Sequence, residues 1–460
     1  MPDRTPPVLR TTADDDLFIR MDRALGVPVV NQIAWRLTSA PDERELEQLF
    51  GRLASGRLGR LLRRTGLPLV RDHWVGAGAA SGRRVADTEP VAEGAVVAWI
   101  DAAASRPLDL TEGPVWELRS APLASGGAVV SLCVAHAAGD GSAVIDAVRA
   151  ALDTTAATSF AARSPGLIEQ AVDAATQAGA ITSNLVALAR GAISARTAGS
   201  PSDGNDDRTG QAPLSARTSR VVPRDPDAAP DDHVALAPVC IVGVPTEQWA
   251  AVAAASGGSS NTLFIAIVVG MLVAGGRAGD DDVVRISIPM SLRGGVPDDR
   301  ANATLGLSLD VPASAARDKD LATIRALSKD VYAQRTARPG TFVRLQPMMQ
   351  ALGDRAVAAL SKGATTPLAL ASNLGSLDDH LAGLGDPNRA DGIVTRSTTQ
   401  AISTARLREL RGGLAAWVND TGQTTTVSVI GLDPDGLGRT SLSPILHAEL
   451  ARWSLTPREW

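Results

Sequence analysis

Residues 129–152 read VVSLCVAHAAGDGSAVIDAVRAAL. The opening six, VVSLCV, are short, β-branched and continuously apolar, which predicts a strand buried on both faces. Gly139, Asp140 and Gly141 interrupt that run before SAVIDAVRAAL takes up helical periodicity, so the stretch predicts strand, loop, helix. Histidine is scarce, five in the chain, and His136 stands between the strand and the glycine-permitted opening. An imidazole titrates near neutrality and there can take a proton from a hydroxyl or an amine, with activity expected to rise through an apparent pKa of about 6 to 7.5. The other reading of the same residues is a core histidine satisfied by a backbone carbonyl, with Asp140 capping the helix that follows.

The flanks repeat this mixed pattern. Ser39 lies three residues before Asp42, and Leu46, Leu49, Phe50 and Leu53 follow at helical spacing, predicting a capped amphipathic helix. Ala-rich, helix-compatible sequence runs over 167–198. Between 199 and 232 the composition shifts to Pro, Ser, Asp, Gly and Arg without an apolar period, which reads as a linker. Beyond it come a strand at 239–244, a short helix after Thr246, an apolar helix from Asn261, a strand at 283–289, and a helix with Leu321, Ile324, Leu327 and Val331 inward. LAAWV and TTTVSVIG flank the turn cluster Asn419-Asp420-Thr421-Gly422-Gln423 as a hairpin. The expected division is a first half over 1–165, a helical segment and linker over 166–232, and a second half over 233–460.

Composition narrows the function. At 460 residues, 44% hydrophobic and 21% charged, the chain is a globular one too long for a single compact core. Its net charge of −5 offers no general attraction for nucleic acid. Cys133 and Cys240, the two cysteines present, have no metal-ligand spacing, so no metal site or disulfide framework is expected and a reducing cytoplasm fits best. The apolar run at 263–276 holds three glycines and is too short to span a bilayer. Asp14, Asp15 and Asp16 stand where a signal peptide would need an apolar core.

AHAAGDG, 135–141, resembles the H-H-x-x-x-D-G signature of the CoA-dependent acyltransferase superfamily, which includes condensation domains, wax ester synthases and chloramphenicol acetyltransferase. PLDLTEGPVWELR, 107–119, is similar to the segment preceding that signature in wax ester synthase/diacylglycerol acyltransferase-like proteins. DDLFIRMDR at 15–23, GLPLVRDHW at 66–74, NTLFIAIVVGML from Asn261, IPMSLR from Ile288 and LALASNLGSL from Leu368 resemble that group's segments in the same order. The resemblance spans nearly the whole chain. It implies an α/β fold of two chloramphenicol-acetyltransferase-like mixed α/β halves, a pseudo-dimer with a central channel and His136 midway along it.

By the same resemblance His136 is the general base: it deprotonates an acceptor attacking an acyl thioester, then protonates the leaving thiolate. No cofactor is bound permanently; the co-substrate is an acyl-CoA or a phosphopantetheine thioester, and an acyl carrier protein is a possible partner beside the small-molecule donor and acceptor. Asp140 maps to a structural aspartate paired with an arginine, here Arg293, and Gly141 closes the motif. The signature's first His is Ala135, which removes a side chain that usually packs beside the base. In SNLGSL, where wax ester synthases read closer to S-N-V-P-G-P, Ser372 or Asn373 can donate to a developing oxyanion or form a turn. Asn261 suits a helix cap.

Other motifs carry less. Gly76, Gly78 and Gly82 lack the helix and acidic residue of a dinucleotide site. There is no G-x-S-x-G elbow, H-E-x-x-H or Walker lysine. His73, His233, His380 and His447 are expected to be solvated or capping, and Trp35, Trp99, Trp116 and Trp249 to fill cores or line an interface. The leading expectation is an acyltransferase forming an ester or amide. Its alternatives are a homologue that binds a ligand or uses His136 for cyclisation, dehydration or epimerisation, and a silent interaction domain.

Overall fold

The computed structural model describes residues 5–155, 159–197, 234–294, 298–334, 350–360 and 367–460, with 222, 224, 230 and 348. Apart from 222, 224 and 230, the expected linker lies outside the described residues, as does His233.

The strand Ala128–Ala135 is buried along its whole length. It runs antiparallel between Val29–Leu37 and Trp116–Pro122, and Gly82–Ala86 closes that side. On the other side the sheet is completed by Ala390–Thr399, which pairs antiparallel with Val29–Leu37. The five-stranded sheet of the first lobe therefore takes one strand from the far end of the chain. Its core joins Trp35, Leu53, Trp116, Leu132 and Val148 under the helices Glu43–Ser55 and Gly141–Leu152.

The second lobe is a seven-stranded sheet. Its order is Thr304–Pro312, Val283–Ser291, Ala369–Ser376, Leu414–Asp420, Thr424–Gly431, Val239–Pro245 and Arg458–Glu459. Ala369–Ser376 is parallel to both neighbours, and the remaining pairs are antiparallel. Leu414–Asp420 and Thr424–Gly431 form the expected hairpin, with Gly422 at φ +80° in its turn, a conformation glycine adopts without strain. Ser260–Ala274 is buried on all sides, with Leu263, Phe264, Val268 and Leu272 each at 1% exposure or less. Its all-round apolar sequence is explained by that position. Among the described residues no single helix is long and apolar enough to cross a membrane.

Three local expectations change. The first-lobe helix is capped by Asp42, whose side chain accepts from Glu45 N while Glu45 returns a bond to Asp42 N; Ser39 is not the cap. His73 is neither solvated nor capping but buried in the strand His73–Gly76, its Nε2 3.1 Å from Ser164 Oγ. His447 has an acidic partner, with Nε2 2.5 Å from Glu459 Oε1. His380 is exposed in the short helix Asp379–Ala382, and Trp35, Trp116 and Trp249 are buried in the cores. Trp99 is half-buried and donates to Asp87 Oδ2 at 2.8 Å.

Candidate active site

The motif strand ends at Ala135, and a single 3-10 turn over His136–Ala138 carries the chain to Gly139 and the helix Gly141–Leu152. This turn lifts the His136 ring off the sheet, where the helix Ala13–Arg23 meets it. Phe18 from that helix stacks on the imidazole, centroids 3.6 Å apart and planes 18° from parallel. Asn302, from the second lobe, places Oδ1 3.2 Å from His136 Nδ1. Among the described residues His136 Nε2 has no hydrogen-bond partner. Burial pushes the imidazole pKa down to about 4, against the opposing pull of Asp140, the residue's own backbone and Asn302. The expected midpoint near 6 to 7.5 moves down accordingly, because the enclosed ring loses hydration that the cation needs.

Asp140 does two jobs with one carboxylate. Oδ1 accepts from Ala143 N at 2.8 Å and caps the helix. Oδ2 accepts from Ala303 N at 2.7 Å, Arg293 Nη2 at 3.0 Å and Thr304 Oγ1 at 3.3 Å. Arg293 also donates to the carbonyls of Ala301, Arg300 and Asp298. Both side chains are at most 7% exposed. Residues 298–303, which lead into the second-lobe strand Thr304–Pro312, are thus folded around one guanidinium and joined to the motif turn. Removing one member of such a buried pair costs about 3 to 5 kcal/mol, because the other charge is left unpaired.

Ala135, the residue at the signature's first position, belongs to the first-lobe core at 9% exposure and lies opposite Val30 in the neighbouring strand. Gly141 opens the helix against Leu374; a Cβ added there would stand 3.4 Å from Leu374 Cδ1. That contact brings the SNLG segment beside the motif. Ser372 is buried, 6% exposed, opposite Trp417. Asn373 is exposed and takes the turn-forming role: Oδ1 accepts from Gly375 N at 2.8 Å, where the pairing with Leu414–Asp420 shifts register. Its Nδ2 donates to Asn261 Oδ1 at 3.1 Å. Asn261 is therefore not the helix cap, a place filled by Ser259 with Thr262.

Sequence reading missed two members of this site. Asn302 is 1% exposed and Asp15 likewise, and neither lies in a recognisable catalytic spacing. Asp15 Oδ1 accepts from both Asn302 N and Asn302 Nδ2 at 2.9 Å, and Oδ2 accepts from Thr12 N at 3.0 Å and Trp74 Nε1 at 3.2 Å. Burial raises the Asp15 pKa while those donors and the buried Arg60 oppose the rise. The signal was the capping box Thr12-x-x-Asp15, which announces a helix start and nothing about chemistry.

Burial pushes both thiols up to about 11, so neither Cys133 nor Cys240 is a nucleophile at neutral pH. Among the described residues no group of three His, Cys, Asp or Glu could hold a metal ion. Two cavities are lined by residues of both lobes, one including Arg36, Asp391 and Trp460 and the other Asp101, Leu236 and Ser443; neither is lined by His136.

No family model and no curated protein sequence matches the chain. Solved structures do. The wax ester synthase/diacylglycerol acyltransferase from Marinobacter aquaeolei VT8 is 14% identical, covers 97% of this chain and 98% of its own, and superposes with a TM-score of 0.54. The first condensation domain of the calcium-dependent antibiotic synthetase, in complex with a substrate analogue, is 16% identical over 97% of this chain and 96% of its own, TM-score 0.55. The epimerization domain from the third module of tyrocidine synthetase B is 12% identical over 98% of both chains, TM-score 0.52.

Proposed function

From the two-lobed fold of the condensation-domain and CoA-dependent acyltransferase superfamily, which this chain carries, we propose that it transfers an acyl group from a CoA or carrier-protein thioester to a hydroxyl or amine, with His136 as general base. The observation that carries this is the ring itself: Nδ1 is engaged by Asn302, while Nε2 has no partner among the described residues. A neutral imidazole with one free lone pair is the form that accepts a proton. As the acceptor oxygen or nitrogen attacks the thioester carbonyl, its proton passes to Nε2. When the tetrahedral adduct collapses, the C–S bond breaks and the thiolate takes that proton back. No acyl-enzyme forms, and the neutral thiols are not needed. Asp140 and Arg293 hold the turn and take no part in proton transfer. The reaction is read as an intracellular one.

The test is thiol release from a panel of acyl-CoAs and acyl-phosphopantetheine carrier proteins with alcohols and amines, comparing the wild type with His136→Ala. The expected loss is about 100- to 10,000-fold. Equal release by the two proteins rejects the proposal. A second reading, proton transfer at a bound substrate without acyl transfer, is favoured by one observation: the epimerization domain covers as much of this chain as the wax ester synthase/diacylglycerol acyltransferase does. Solvent deuterium entering a carrier-bound acyl group without thiol release would select it.

A further inference from the structure

The contacts around Asn302 settle which way its amide faces. Nδ2 lies 2.9 Å from Asp15 Oδ1 and 2.9 Å from the carbonyl of Ala137. A carbonyl can only accept, and so can an ionised carboxylate that already takes three other N–H donors, two on its second oxygen. The amide nitrogen must therefore stand on that side, and Oδ1 on the side of His136, where it is 3.2 Å from Nδ1. Oδ1 has no proton to give. In a neutral ring the proton consequently sits on Nδ1 and the lone pair on Nε2.

The three residues come from three separate places. Asp15 lies in the first turn of the helix Ala13–Arg23, Asn302 in the second-lobe loop, and His136 in the motif turn. Asn302 has no freedom to rotate, since its backbone N–H is held by the same Asp15 oxygen as its side chain. The anchor is equally fixed, Asp15 being 1% exposed. Phe18, one turn further along the same helix, covers a face of the ring while Asn302 holds its edge.

We infer that Asn302, locked by Asp15, is a positioning residue that fixes the His136 tautomer with Nε2 as its free base nitrogen. The inference rests on His136 acting as the base. It assigns the part that orients the imidazole to a neutral amide from the opposite lobe, backed by a carboxylate. An amide in that place fixes the tautomer without adding a charge beside the ring.

The test separates the tautomer from turnover. The wild type is labelled with 15N-histidine and the His136 resonances are assigned by difference from His136→Ala. The expected pair is a protonated Nδ1 and an unprotonated Nε2. In Asn302→Ala the two tautomers are expected to mix, with kcat lowered about 10- to 100-fold and KM unchanged. A wild-type ring protonated at Nε2 overturns the inference, as does Asn302→Ala with wild-type kcat. Should Asn302→Ala fail to fold, the wild-type spectrum decides. Thiol release that survives His136→Ala overturns the base reading instead, and is distinguishable because the tautomer is read without substrate.

Discussion

His136 has its pKa pushed down to about 4 by burial. With the ring already deprotonated at neutrality, a base role for His136 predicts kcat/KM flat from about pH 6 to about pH 8 and falling only toward pH 4. An acid limb centred near 6.5 contradicts the enclosed ring. The same depression affects stability. The unfolded ring takes its proton near 6.5 and the folded one only near 4, so this group's stabilisation is present above about pH 6.5 and is lost as pH falls through that window. Asp140, by contrast, is tied through both carboxylate oxygens to Ala143 N, Ala303 N, Arg293 and Thr304. Asp140→Asn turns a donor toward Arg293 or Ala303 N, and the expected cost is about 3 to 5 kcal/mol in unfolding free energy, with activity per folded molecule little changed. Denaturant titration beside a folded-fraction assay checks it; a stable but inactive variant refutes it.

The buried helix Ser260–Ala274 leaves no room for an added Cβ at one position. Gly270 sits against Glu449 of the helix Leu442–Arg452, and a Cβ there would lie within 2.2 Å of Glu449 Oε1. Glu449 cannot easily retreat, being 6% exposed and bonded to Arg452 and to Trp453 Nε1 at 2.9 Å. Gly270→Ala is expected to destabilise by about 1 to 3 kcal/mol through overpacking, measured by the shift in denaturation midpoint at constant m-value. An unshifted midpoint means that the two helices can separate at no cost. At this scale the sequence was largely legible: the buried strand, the hairpin and the inward face of Leu321–Gln334 follow from local apolar period. The misread positions, Ser39 and Asn261, were caps, where a neighbour two or three residues away competes for the same N–H.

The lobes do not separate where the composition changes. Ala390–Thr399 completes the first-lobe sheet, and Arg396 within it donates to Gln32 Oε1 at 2.8 Å and Asp101 at 2.6 Å while being wholly buried. The second-lobe loop contributes Asn302 to Asp15 and Ala303 to Asp140. A fragment of residues 1–165 would expose the edge of Val29–Leu37 and leave Asp15, Asp140 and Gln32 short of buried partners. It is expected not to fold alone, giving no cooperative thermal transition by circular dichroism. A soluble fragment with a sharp transition would show that each lobe is self-sufficient.

The motif could be read from the chain because it rests on residue type and short spacing, whereas the pairing of Asp140 with Arg293, 153 positions away, was implied by the resemblance alone. The Asp15–Asn302–His136 contact and the strand shared between lobes could not be read from it. They join residues far apart, 287 positions for Asp15 with Asn302, and their polar groups gain meaning only when burial removes water as the competing partner. Local pattern determined which elements form; the tertiary structure decided which side chain meets Nδ1 of His136.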